Sequence, residues 1–267
     1  MSEEPDLPDD VALLWGLRAG ARRGRKPSLT VEDITAAAVR IADAEGLAGL
    51  SMARVAQELG NSTMALYRHV KSKDELLLLM SDAALPHPPE QPAAGDWRAQ
   101  LTDWARSVLG VFRQHAWYRE IPISGPPVGP RNLEWFDRAL GALAGTGLTE
   151  GDKVLVVTGL LPLVHGQARL SVDLSAGYAA DPESFGRGYA LALSRMVDPV
   201  RYPALSQVIA AGVFGPGGPG AEDSAEDSAG DGAEADGYDD FDAEFDFALT
   251  CYLDGVAGFI ARRTSGG

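Results

Sequence analysis

Thr63, Met64, Ala65 and Arg68 fall within six consecutive residues and could inspect the edges of base pairs. A guanidinium pairs bidentately with guanine O6 and N7, worth ~1–3 kcal/mol of discrimination, and short apolar groups meet thymine methyls. Tyr67 and His69, interleaved with them, are of phosphate-seeking type. No other chemistry is spelled out as clearly. HExxH, CxxC and GxSxG are all missing, and the four histidines (69, 87, 115, 165) are too scattered to suggest a metal site. GPGGPG at 215–220 satisfies GxGxxG in form, but prolines and an acidic tract stand where a phosphate-holding helix would have to begin. Neither an enzyme nor a cofactor is expected.

The stretch that must position those probes is SMARVAQELGNSTMALYRHVKSK, residues 51–73. Ser51 is placed to cap a helix whose inner face carries Met52, Val55, Ala56 and Leu59. Gly60 falls where that helix stops, because glycine enters the left-handed conformation without a Cβ clash. Ser62 caps the next helix, with Leu66 and Val70 turned inward, and Ala56 is small where the two cross. Thr30 and Asp33 form a variant capping box for a preceding helix that carries Ile34, Ala37, Ala38, Ile41 and Ala44 to Gly46. SKDE at 72–75 opens a fourth, apolar helix that runs to Pro86.

LGNSTMALYRHVKSKDELL, with the leading Ser51-Met52, Ala56, Leu66-Tyr67, His69 and Lys73, resembles the N-terminal domain of the tetracycline-repressor (TetR) family of transcriptional regulators over residues 28–80. Asn61 departs from the pattern, which has an apolar residue after the glycine. The resemblance implies an all-α fold: a three-helix DNA-binding head with a connecting helix (28–85), then a helical effector-binding and dimerisation body (96–263). It further implies that Thr30, Ser51, Tyr67, His69 and Lys73 touch phosphates, and that recognition helices of a homodimer sit ~34–36 Å apart on a pseudo-palindromic double-stranded operator. The regulator is expected to be a repressor released by a small-molecule effector.

Charge agrees with a basic head on an acidic body. The chain carries −15 overall, yet residues 18–73 hold ten Lys/Arg against five Asp/Glu, +5, which leaves −20 elsewhere. Residues 1–27 form an extension, in which the apolar patch VALLWGL precedes RAGARRGRKP, whose Arg22, Arg23, Arg25 and Lys26 form an arm suited to phosphates or the minor groove. With 45% hydrophobic residues a sizeable core is possible. The acidic start is unlike a signal peptide, Cys251 is the single cysteine, and the uncharged run Val154–Ala168 is shorter than the ~20 residues of a spanning helix. A cytoplasmic protein with no membrane partner is expected.

After the proline-rich linker 86–95, helical spacing resumes through Trp97, Leu101, Trp104, Val108 and Phe112, again through Leu133, Trp135, Phe136 and Leu140, and then in a long segment from Thr149 interrupted by Pro162. Further helices are expected from Pro182, after Pro203, and over Phe241–Arg263, while the acidic tract at 215–240 lacks the apolar residues to fold. Trp104, Val108, Phe112, Trp117, Trp135, Phe185 and Tyr189, together with His165 and Gln167 beside Pro162 and Gly166, are the candidates to line a largely apolar ligand pocket. The alternative reading is a helical small-molecule-binding or catalytic protein whose head no longer binds DNA.

Overall fold

The computed structural model describes residues 7–17, 29–90, 96–121, 126–180, 188–214 and 239–265. Among these residues every regular element is a helix and no strand is present. The chain forms two compact units, one of residues 1–165 and 256–267 and the other of residues 166–255. Arg22, Arg23, Arg25, Lys26, Phe185 and residues 215–238 of the acidic tract lie outside the described residues.

In the first unit a short helix α1 (Asp9–Leu14) precedes the head. Helix α2 (Val31–Gly49) opens with the full capping box: the Thr30 hydroxyl accepts from the Asp33 N–H, and the Asp33 carboxylate accepts from the Thr30 N–H. Gly46, with φ +69°, breaks the helix, and one further turn continues to Gly49. Ala44 faces solvent and Ala42 is buried in its stead, on the same stripe as Ile34, Ala38 and Ile41. Helices α3 (Met52–Glu58) and α4 (Thr63–Tyr67) meet at Gly60, whose φ of +62° is the left-handed conformation. Ser51 and Ser62 accept from the N–H groups of Arg54 and Ala65. Helix α5 (Lys73–Ala83) follows, capped by Ser72.

Ile34, Val55, Leu66, Val70, Leu76 and Met80 are fully buried together, each contributing about 1.5–3 kcal/mol of burial. Asn61 does not loosen the turn. Its N–H donates to the Ala56 carbonyl and its side-chain amide donates to the Leu59 carbonyl, so a polar residue closes α3. Arg54 ties α3 to α2 through Glu45 at 2.8 Å and pairs with Glu58 within α3 at 3.0 Å.

Helix α6 (Trp97–Gln114) passes into a 3₁₀ turn (Ala116–Glu120), and α7 (Pro130–Ala142) and α8 (Glu150–Ala180) follow. The 3₁₀ turn brings the chain back onto the head, where Asp43 Oδ1 on α2 accepts from the Trp117 indole at 2.6 Å and lies 2.7 Å from His115 Nδ1. The residues on both sides of the proline-rich 86–95 stretch thus pack into one unit. Asp152, at the start of α8, is buried and pairs with Arg263 at 2.9 Å.

The second unit holds the far half of α8, then α9 (Tyr189–Met196) and α10 (Pro203–Ala210), and then the near half of α11 (Asp239–Ser265) in chain order. The start of α11 takes in Asp239 and Asp240, assigned by composition to the acidic tract. Among the described residues one segment, Glu150–Ser171, is long and apolar enough to cross a membrane, longer than the uncharged run Val154–Ala168 suggests.

Candidate DNA-reading surface and ligand cavity

The helix-turn-helix leaves its probes outside the head. Met64 is 71% exposed, Tyr67 and Arg68 are exposed, and Thr63, Ala65 and His69 are half-buried, while Leu66 and Val70 beneath them are closed off from water. Helix α4 is a short one, and Arg68 already serves as its C-cap. The residues expected at phosphates differ in how free they are. The Thr30 hydroxyl is used in both directions, accepting from the Asp33 N–H at 3.1 Å and donating to Asp33 Oδ2 at 2.9 Å. The Ser51 hydroxyl accepts from the Arg54 N–H at 3.1 Å. The Lys73 ammonium donates to the Leu50 carbonyl at 2.9 Å and the Leu47 carbonyl at 3.4 Å, joining α5 to the end of α2 while the side chain stays at the surface.

A cavity of about 810 Å³ lies within the first unit, against the other side of α5. Trp104, Val108, Phe112, Trp135 and His165 all stand on its wall. Trp104 and Trp135 meet edge-on at 6.2 Å between centroids, and Phe112 lies 4.6 Å from the His165 ring. Both indole N–H groups are taken, Trp104 by the Trp135 carbonyl (2.9 Å) and Trp135 by the Pro86 carbonyl (2.8 Å), so these rings offer only carbon and π surface. Burial lowers the His165 pKa, which keeps the ring neutral near pH 7.

Three other residues expected at the cavity are not among those that line it. Trp117 is 2% exposed but sits in the core of the head, drawn there by the 3₁₀ turn and by Asp43. Gln167 and Tyr189 belong to the second unit, where Tyr189 packs edge-on against Phe214 at 5.6 Å.

Sequence reasoning missed much of the wall, including Leu77, Leu78, Ser81 and Asp82 of α5, Val11 and Leu14 of α1, and Tyr118 and Asn132. The signal was present in LLLLM. A helix with one buried face needs no run of four leucines, and here Leu76, Leu79 and Met80 fill the head core, Leu78 faces the cavity, and Leu77 touches both. Asp82 crosses from α5 to the start of α7. Its Oδ1 accepts from the Asn132 N–H and side-chain amide, each at 3.0 Å, and its Oδ2 from the Arg131 N–H at 3.3 Å. Pro130 has no N–H, so these are the first donors α7 has to satisfy. Burial first, then the charge of Asp82, pushes the Tyr118 phenol far up, against a hydrogen bond with Asn132 that works the other way, so the phenol remains protonated.

A polar-tipped helix-turn-helix joined to an aromatic cavity is the arrangement of a ligand-responsive DNA-binding protein. Residues 34–80 match the family described as bacterial regulatory proteins, tetR family, and residues 88–215 match the tetracyclin repressor-like C-terminal domain. The HTH-type transcriptional repressor DrrR1 of Streptomyces coeruleorubidus is 34% identical over 264 residues, 97% of this chain and 88% of that protein. The chain belongs to the TetR family. An HTH-type transcriptional regulator of Saccharopolyspora erythraea is 29% identical over 68% of this chain and 75% of its own length. Among solved structures, apo ActR from Streptomyces coelicolor superposes with a TM-score of 0.66 at 26% identity, covering 88% of this chain and 99% of ActR. ActR in complex with actinorhodin gives 0.65 at 28%, covering 86% and 96%. As a TetR-family member the chain is a DNA-binding transcriptional regulator and not an enzyme.

Proposed function

We propose that this protein is a repressor that holds a pseudo-palindromic operator as a homodimer and leaves it when a small, largely apolar molecule enters the cavity. The observation that carries this reading is the double role of α5. One face completes the core of the helix-turn-helix, and the opposite face forms the cavity wall and holds the N-terminus of α7 through Asp82. A ligand that favours one placement of α5 over another shifts the head by its difference in affinity for the two states. ActR is known bound to actinorhodin, and the tryptophan-lined wall of this chain's cavity suits an aromatic effector.

In this reading residues 28–85 are the DNA-binding domain and 96–263 the effector and dimerisation domain, and the protein works in the cytoplasm. Thr63, Met64, Ala65 and Arg68 read bases. Ser51, Tyr67, His69 and Lys73 meet phosphates, Arg22, Arg23, Arg25 and Lys26 form the arm, and Thr30 joins them only if its capping bonds rearrange. The dimer face takes in exposed apolar residues of α8, Leu155 at 67% exposure among them, and this accounts for the apolar length of α8. The alternative of a head that no longer binds DNA is disfavoured by family membership over nearly the whole chain.

The test is selection of bound fragments from the source genome, followed by salt-dependent gel shift. Tight, salt-sensitive binding to a fragment with dyad symmetry is expected, and absence of binding to every fragment at low ionic strength overturns the proposal.

A further inference from the structure

Most polar side chains on the cavity wall are already committed within the protein. The indole N–H groups of Trp104 and Trp135 go to backbone carbonyls, and Asp82 receives three N–H donors. Asn132 donates to Asp82 and hydrogen-bonds Tyr118, and the Ser81 hydroxyl donates to the Leu78 carbonyl at 2.8 Å. The Glu75 carboxylate accepts from the Lys71 N–H at 2.7 Å, and the acids Asp10 and Asp74 are exposed to solvent.

His165 is the exception. Its ring is half-buried on the wall, and among the described residues no group forms a hydrogen bond or ion pair with it. Burial alone lowers its pKa, with no hydrogen bond or neighbouring charge contributing. His115 and His87, by contrast, each have a carboxylate at Nδ1, at 2.7 and 3.0 Å. A neutral imidazole offers one N–H donor and one lone-pair acceptor, and His165 presents both beside an otherwise committed wall. Its ring packs on Phe112 at 4.6 Å between centroids. Phe112 in turn lies about two turns along α6 from Trp104, about 12 Å at 1.5 Å per residue, with the buried Val108 between them. One end of this stretch is therefore carbon and π surface, and the other holds an open donor and acceptor.

We propose that His165 selects the effector by hydrogen-bonding a hydroxyl on its aromatic ring system, the rest of which lies along α6 toward Trp104 and Trp135. The proposal rests on the reading of the cavity as the effector site and deepens it. A hydroxyl suits the imidazole in either tautomer, since it donates to the bare nitrogen or accepts from the protonated one. A methyl group in the same place displaces water from the ring nitrogens and returns no hydrogen bond, which a site of this kind penalises. Because His165 stands on α8 and Trp104 on α6, the hydroxylated ligand also bridges those two helices.

The experiment uses the full chain and two uncharged probes of one shape, trans-4-hydroxystilbene and trans-4-methylstilbene. Binding is followed by quenching of tryptophan emission without DNA, at about pH 8, where His165 is neutral. The hydroxyl compound should bind about tenfold more tightly, although the methyl compound is the more hydrophobic of the two. His165→Phe, which keeps a flat ring beside Phe112, should bring the two compounds to within about twofold. His165→Gln, which keeps a donor and an acceptor, should hold a preference of at least about threefold. Equal binding of the two by the wild-type chain, tighter binding of the methyl compound, or an undiminished preference in His165→Phe overturns the proposal. The wild-type ranking and His165→Gln decide the matter even where His165→Phe fails to fold, which circular dichroism reports. Binding of neither compound below about 100 μM removes the reading of the cavity as an effector site, and the proposal with it. Because no DNA is present, these outcomes are separate from operator binding, whose failure would instead remove the reading of the protein as a repressor.

Discussion

Two exposed cations of the head are expected to do different work. Arg68→Ala should relax base preference, measured as a smaller ratio of operator to random-sequence affinity. Lys73→Ala should weaken every sequence alike and flatten the salt slope by about one unit. Lys73 also donates to the Leu50 and Leu47 carbonyls, so its variant should lose about 1 kcal/mol in urea unfolding, whereas Arg68→Ala should lose little. Equal loss on operator and random DNA for both would dissolve the distinction. A second residue-scale prediction concerns the joint between α5 and α7. A Cβ on Gly129 would collide with the Asp82 carboxylate, and Asp82→Ala would leave the Arg131 and Asn132 N–H groups without their acceptor. Both Gly129→Ala and Asp82→Ala should therefore destabilise the chain by about 1–3 kcal/mol, read from denaturant midpoints.

At the scale of elements, the helices fall where capping residues and apolar spacing put them. Ser51, Ser62 and Ser72 each cap the helix expected, and Gly60 closes α3. Partners of a helix are another matter: LLLLM predicts an apolar helix, and only packing shows that α5 divides its leucines between two sites. Trp117 and Trp135 read alike in the sequence, yet the 3₁₀ turn after α6 sends the first into the head and helix α7 sends the second to the cavity. The pH response of α8 follows from burial. His165 has a folded pKa below its ordinary 6.5, so as pH falls through that value the unfolded chain takes up the proton first and stability declines; above it the penalty vanishes. Substituting His165→Gln should reduce the drop in denaturant midpoint between about pH 7.5 and about pH 5.5, and an unchanged drop would remove His165 as its source.

For the molecule as a whole, the exposed apolar residues of α8 predict self-association. Leu155→Glu should convert a dimer to a monomer by light scattering and lower operator affinity at least tenfold, since each half-site would then be bound alone. A wild-type chain that is monomeric at micromolar concentration would remove the dimer step. The distribution of charge acts at the same scale. A head region at +5 on a chain of −15 should bind DNA with a steep salt dependence, despite the acidic total.

The sequence by itself determined the helical class, the turn at Gly60, the caps, and the side chains that α4 leaves in solvent, because each depends on neighbours within about eight residues. Five of the residues expected at a pocket, four of them aromatic or histidine and the fifth Val108, do line the cavity from α6, α7 and α8. What only the tertiary structure decided is which distant segments share a space. The carboxylate of Asp82 caps a helix some fifty residues away, Trp117 returns to Asp43, and α1 becomes a cavity wall. Spacing along the chain reports the face a residue occupies, whereas the partner of that face depends on loop paths and packing that no local pattern encodes.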